Sequence, residues 1–319
     1  MKRIIIITFL LMLVLATFVV SVLKYQMVSA DTVTVYTRGI SDHGLILIGP
    51  ASSEYETETA ALLAGKSDGQ KEFVNELKPF SVFIRNTNTR DVIAYRVRWE
   101  ISGPAMKTIA HEMTLADPGV LEGTDPALVT DAVRTRGNRI IPNSSRYVAL
   151  ATSASYPIQP GIHIGIGTTN DNSASVTMLD DNELIETFRA ELEQATDVTI
   201  TLDGAVFSDG TFVGTNETGY FEQLKAQVAA KFDILKGCAI ALKQNKTPSE
   251  IFAHIQTIAD EQPASIAPAS DDAAYYNYYR QSYATEIGNI RAVYNNDEHA
   301  LSYVLQPLNR TWPTLNRVP

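Results

Sequence analysis

The chain has 319 residues, 36 acidic against 26 basic side chains, a formal charge of −10, and one cysteine. Lys2, Arg3 and Lys24 all precede residue 31, so the remaining 289 residues keep every acidic side chain and only 23 basic ones, a charge of −13. That balance disfavours nucleic acid and anionic lipid as partners of the body of the chain, and a lone Cys238 excludes an internal disulfide. The length suffices for one large domain or two ordinary ones.

Lys2 and Arg3 stand before an uncharged, largely apolar run over residues 4–23, closed by Lys24. Twenty residues rise about 30 Å as a helix, enough to cross a bilayer core. Val28-Ser29-Ala30 offers the small side chains of a signal-peptidase site. Residues 1–30 are therefore a signal peptide or an N-terminal membrane anchor, and the length of the run favours the anchor. Either way the basic N-terminus stays cytoplasmic and the rest lies outside. An uncleaved leader is anchored by residues 4–23; a cleaved one is cut after Ala30.

From residue 31 the pattern is β. Residues 32–37 alternate Thr with Val or Tyr, and residues 45–48 form a short apolar strand. Residues 51–78 are polar and acidic, with short helices expected near 59–64 and 71–77. Phe80, Val82 and Ile84 share one strand face, residues 86–91 are turn-rich, and Ile93, Tyr95, Val97, Trp99 and Ile101 alternate against Arg96, Arg98 and Glu100. The pattern predicts a hairpin with one core face and one wet face. Further strands are expected at 108–115, 139–141, 147–152 and 162–166, with a turn at Pro142-Asn143.

Residues 180–194 change period: Asp180 and Glu183 make a capping box ahead of Leu184, Ile185, Phe188 and Leu192. Residues 198–213 then read as strand segments punctuated by Asp203-Gly204 and Asp209-Gly210, both hairpin signals. Phe221, Leu224, Val228, Phe232, Leu235, Ala239 and Leu242 draw one apolar stripe on a helix over 217–243. Thr247 caps a second helix over 248–259 with Pro248 at its first position. A linker with Pro263 and Pro268 leads to one long helical segment over 270–305.

No strong catalytic, nucleotide or metal motif emerges. His111-Glu112 opens a zinc-protease pattern, but residue 115 is Leu where a second His is required. Gly165-Ile166-Gly167 lacks the third glycine of a dinucleotide loop. Cys238 sits beside the apolar stripe, where a thiol packs as a small hydrophobe, and His43, His163, His254 and His299 have no ligand spacing. Asp171 with Asn170 and Asn172, and residues 180–183, carry hard oxygens that calcium uses, yet turn and cap chemistry accounts for them. No cofactor is called for. A carboxylate pair of the glycosidase kind cannot be named from a sequence, because its diagnostic is a separation in space.

The most unusual composition is Tyr275-Tyr276-Asn277-Tyr278-Tyr279, followed by Tyr283. On a helix Tyr275, Tyr279, Tyr283, Ile287, Ile290 and Tyr294 share one side and face a neighbour. Tyr276 and Tyr278 point elsewhere, as a ledge for protein or sugar contacts. The candidate binding surface is therefore Tyr275, Tyr276, Tyr278, Tyr279 and Tyr283. Asn143, Asn216, Asn245 and Asn309 head N-glycosylation patterns, which matter only where that machinery exists.

The pattern of residues 80–101, the turn Ile141-Pro142-Asn143-Ser144-Ser145, the segment 202–214 and the helix after it resemble a group of uncharacterised exported bacterial proteins in which an immunoglobulin-like sandwich precedes helices. The likeness covers mainly residues 80–243 and brings no activity with it. The Cys, Trp, Cys framework of true immunoglobulin domains is absent. The expectation is an α+β chain: residues 1–30 as N-terminal hydrophobic leader helix, 31–214 as antiparallel β-sandwich, 215–319 as helical C-terminal portion. The leading functional reading is non-catalytic binding or scaffolding at the cell envelope or surface. The alternatives are a secreted carboxylate-dependent hydrolase acting on polysaccharide or peptide, and a structural subunit of an envelope complex.

Overall fold

The computed structural model describes residues 33–117, 120, 123, 139–150, 163–168, 174–179, 190–191, 193–261 and 272–318. The leader, both calcium candidates, most of the helix expected over 180–194 and nearly all of the Pro-containing linker lie outside them. Among the described residues no helix is long and apolar enough to cross a membrane.

The chain is α+β. Strands β1 (Thr34–Arg38), β4 (Val92–Gly103), β5 (Met106–Ala116), β9 (Asp197–Phe207), β10 (Thr211–Val213) and β11 (Asn316–Arg317) make one sheet in the order β11-β10-β9-β4-β5. β1 joins β9 beside β10. A second sheet has the order β2-β3-β6, formed by Leu45–Ile48, Ser81–Asn86 and Ser144–Ala149. β7 (His163–Thr168) and β8 (Ala174–Leu179) pair with each other. The large sheet is only mostly antiparallel: β1 runs parallel to β9, and β11 to β10.

The alternation in β4 holds from Tyr95 to Ile101, but Ile93, expected on the same face, lies at a register shift between Val92 and Ala94 and packs in a different core. Tyr95, Val97, Trp99 and Ile101 are fully buried, in one core with Val82, Ile84 and Val148 of the second sheet and Val198, Ile200 and Leu202 of β9. The Trp99 indole N–H donates to the Phe80 carbonyl at 2.8 Å, so this largest buried side chain leaves no unpaired donor. The hairpin expected over residues 80–101 is not formed. β3 has both edges occupied, by β2 and β6, while β4 pairs with β5 and β9. The connection crosses from one sheet to the other, held where the Asn86 amide donates to the carbonyls of Arg90 at 2.7 Å and Ile140 at 2.9 Å. Alternation marks a half-buried strand, not its partner, so a crossover and a hairpin look alike in sequence. The true hairpin is β4-β5, turned at Pro104-Ala105. The strand expected at 139–141 is a single bridge from Ile140 to Val92.

Helix α1 (Ser53–Leu63) is longer than expected, with Ser52 capping it, and α2 (Asp68–Glu76) follows. α1 lies on the outer face of the second sheet: Tyr55 meets Phe83 edge-on at 5.3 to 5.4 Å together with the Phe83–Tyr147 pair, and Arg85 reaches Glu54 and Glu58.

The C-terminal helices are α3 (Tyr220–Lys243), α4 (Pro248–Ala259), α5 (Asp272–Val293) and α6 (Asp297–Leu305). α4 begins with a complete capping box between Thr247 and Glu250. The single long helix expected over 270–305 is two, because Asn296 accepts from the backbone N–H groups of Glu298 and His299 and starts α6 afresh. The stripe of α3 serves two cores. Tyr220, Leu224 and Val228 pack on Ile93, Ala94, Val206 and Phe212 of the sheet; Ile234, Leu235 and Cys238 pack with α4, α5 and α6. Leu242, at the end of the expected stripe, is 37% exposed.

Candidate binding site

The tyrosines of α5 divide by helical spacing. Tyr275 and Tyr283 are buried; the Gln223 amide donates to the Tyr275 hydroxyl at 3.2 Å, and the Lys231 ammonium stands 4.7 Å from the Tyr283 ring centroid. Tyr279 is half-buried against the helical core. Tyr278 is exposed, with its ring edge-on to Tyr279 at 5.3 Å. Tyr276 turns to α3 and donates to the Asp233 carboxylate at 3.0 Å. The five side chains do not share one surface.

Tyr276 and Arg280 instead form one wall of a cavity of about 540 Å³ between α3 and α4. Ile234, Cys238, Ile251 and Ile255 give it an aliphatic lining. It exists because the α3 stripe runs beyond the sheet, and α4 and α5 flank that extension. Gly237 and Ile240 lie at its exposed side, Ile240 with 46% of its surface open. A Cβ at Gly237 would meet no atom within 4 Å. The charged rim is largely self-paired: Lys246 with Glu250 at 3.5 Å, Arg280 with Glu261 at 3.2 Å. A second depression of about 430 Å³ lies across the Tyr276–Asp233 bond, against Lys225, Ala229 and Asn277.

Cys238 lines the cavity, and burial pushes its thiol up to about 11. At neutral pH it is protonated, and protonated sulfur is a poor nucleophile. The site offers apolar contact rather than bond-making chemistry at this residue.

Sequence reasoning missed the polar joint between sheet and helices. β9 runs straight through Asp203-Gly204, where a turn was expected. The register skips Asp203 between the Arg96–Gly204 and Val97–Leu202 pairs, so Asp203 is the extra residue of a β-bulge. Gly204 is required there because a Cβ would lie 2.3 Å from the Phe212 ring. The bulge aims the fully buried Asp203 carboxylate at the loop before α3, where it accepts from the Glu217 N–H at 2.7 Å and the Thr218 hydroxyl at 2.6 Å. Arg96, on the supposedly wet face of β4, is also buried. Its guanidinium donates to Thr114, Thr218 and Gln223 and stacks 4.6 Å from the Tyr220 ring centroid. The hint in the sequence was an arginine within an otherwise strong strand, which alternation alone assigns to water.

His111 and Glu112 are neighbours on β5 and so project to opposite faces: His111 lies 2.9 Å from Glu191, Glu112 3.7 Å from Arg96. Burial raises the Glu112 carboxyl above the ordinary range, opposed by Arg96 and Arg98. Gly165 and Gly167 lie within β7, not in a phosphate-binding turn. Asp91 and Asp117 share the Arg139 guanidinium at 3.3 Å each, a structural clamp. Asn143, Asn216 and Asn245 each hold a left-handed backbone, φ 58°, 58° and 63°, which asparagine tolerates better than most residues. No group of three or more His, Cys, Asp or Glu side chains able to hold a metal occurs among the described residues. No protein-family model, curated protein or solved structure matches this chain.

Proposed function

We propose that this chain is an exported, membrane-tethered binding protein with no catalytic role, which holds a segment of a partner protein in the groove between α3 and α4. In this reading the two sheets, which share one core, form an open β-sandwich that supports the helices. The observation that carries it is the aliphatic cavity of about 540 Å³ beside Tyr276, a size typical of ligand sites. Its Ile-rich lining suits aliphatic side chains. A sugar platform needs exposed ring faces, and Tyr275 and Tyr283 are buried, which favours protein over glycan as the partner.

The test is affinity capture of the tagged full-length protein from gently solubilised membranes, repeated with Gly237→Trp. Gly237 lines the groove and a Cβ there meets no atom within 4 Å, so the substitution begins from open space. A co-purifying protein lost with Gly237→Trp, while the thermal midpoint stays within about 3 °C, supports the reading. Equal recovery with both forms refutes it.

A further inference from the structure

The direction in which the chain is threaded assigns a side to the groove. β1 enters the large sheet at the end marked by Thr34, Asp197 and Ser102, the end that also carries the Pro104-Ala105 turn. The leader precedes β1 in the sequence, so it joins the body there. The helices dock at the other end of the same strands: Ile93 and Ala94 begin β4, Val206 ends β9, and Phe212 follows on β10.

The course of α3 extends this separation. Glu217 lies 3.6 Å from Arg98, Thr218 and Gln223 bond Arg96, and Leu224 and Val228 pack on Ala94 and Ile93. Those contacts step along β4 away from the entry end, so α3 leads outward. β9 with 11 residues spans about 33 Å, and α3 with 24 residues is about 36 Å long. The groove around Gly237 belongs to the outer half of α3.

We infer that the sheet is a spacer: in the tethered protein the Pro104-Ala105 end faces the bilayer and the helical groove is presented on the far side, about 30 Å or more from the entry end. The partner it fits is then a protein of the extracytoplasmic space or of an opposing surface, not a lipid surface or a neighbouring membrane span. This rests on the tethered reading.

The experiment uses full-length protein in phosphatidylcholine vesicles. In a Cys238→Ala background, one new cysteine is placed at the exposed Ala105 (Ala105→Cys) or the exposed Lys243 (Lys243→Cys) and labelled with a donor dye. Energy transfer to acceptor lipids is read, and the same vesicles are extracted with alkaline carbonate. The expected result is retention in the membrane pellet and at least threefold greater transfer from position 105 than from position 243. Retention with equal or reversed transfer overturns the spacer while leaving the tether standing. Release into the supernatant overturns the tether and the spacer with it.

Discussion

Replacing Asp203 with alanine tests whether the bulge in β9 is the device that seats the helices. The carboxylate is fully buried and accepts two short hydrogen bonds, from the Glu217 N–H at 2.7 Å and the Thr218 hydroxyl at 2.6 Å, with a longer one from the Thr215 hydroxyl at 3.1 Å. Hydrogen bonds to a charged group contribute about 1.5 to 3 kcal/mol each. Glu217 is exposed and Thr218 half-buried, so water partly replaces the lost partner, and the lower end of the range applies to both short bonds. Asp203→Ala is expected to cost about 3 kcal/mol, roughly two orders of magnitude in the opening equilibrium of the loop. Asp203→Asn keeps one acceptor oxygen in place and should cost about 1 kcal/mol. Hydrogen exchange followed peptide by peptide reads the effect locally, and amides of residues 215–221 should lose roughly 100-fold protection while β4 retains most of its own. Unchanged exchange at residues 215–221 in Asp203→Ala would show that the loop is seated by other contacts and refute this account.

Gly204→Ala should destabilise by about 2 kcal/mol, because a Cβ there lies 2.3 Å from the Phe212 ring and overpacking of this kind costs 1 to 3 kcal/mol; a thermal midpoint equal to that of the parent protein contradicts it. Arg85 holds the Glu58 carboxyl below its ordinary value. A depressed carboxyl stabilises above its unfolded pKa and loses that contribution as pH falls through the folded one, so α1 should become protease-sensitive on acidification below the ordinary carboxylate range. In Glu58→Gln that pH dependence should shrink, and an identical acid profile in both forms argues against the pair. Cys238, with its thiol pushed up to about 11, should react with a chromogenic disulfide at pH 7.5 only after denaturant is added; native reactivity like that of a free thiol would place it outside the core.

Much of the architecture was legible in the sequence because it depends on neighbours three or four positions away. Thr247, Pro248 and Glu250 announce the start of α4 through hydrogen bonds closed within one turn. Of the inward set, Tyr95, Val97, Trp99 and Ile101 follow from a period of two, while the register shift beside Ile93 sends that side chain to the helix-side core. The candidate site was legible only in part. Helical spacing separated buried Tyr275 and Tyr283 from Tyr276, yet nothing in the local sequence placed Tyr276 against Asp233, 43 positions earlier, or a cavity beside it.

By itself, then, the sequence determined the acidic balance of the chain, the buried run Tyr95, Val97, Trp99 and Ile101 of β4 and the start of α4, because propensity, periodicity and charge are properties of short windows. Only the tertiary structure decided that β3 and β4 belong to different sheets, that Asp203 is a bulge and not a turn, and that Arg96 is buried. Each of those depends on which distant strand or helix occupies an edge or covers a face. Hydrogen-bonding edges are chemically alike along every strand, and the choice of partner is made by long-range packing that no local pattern encodes.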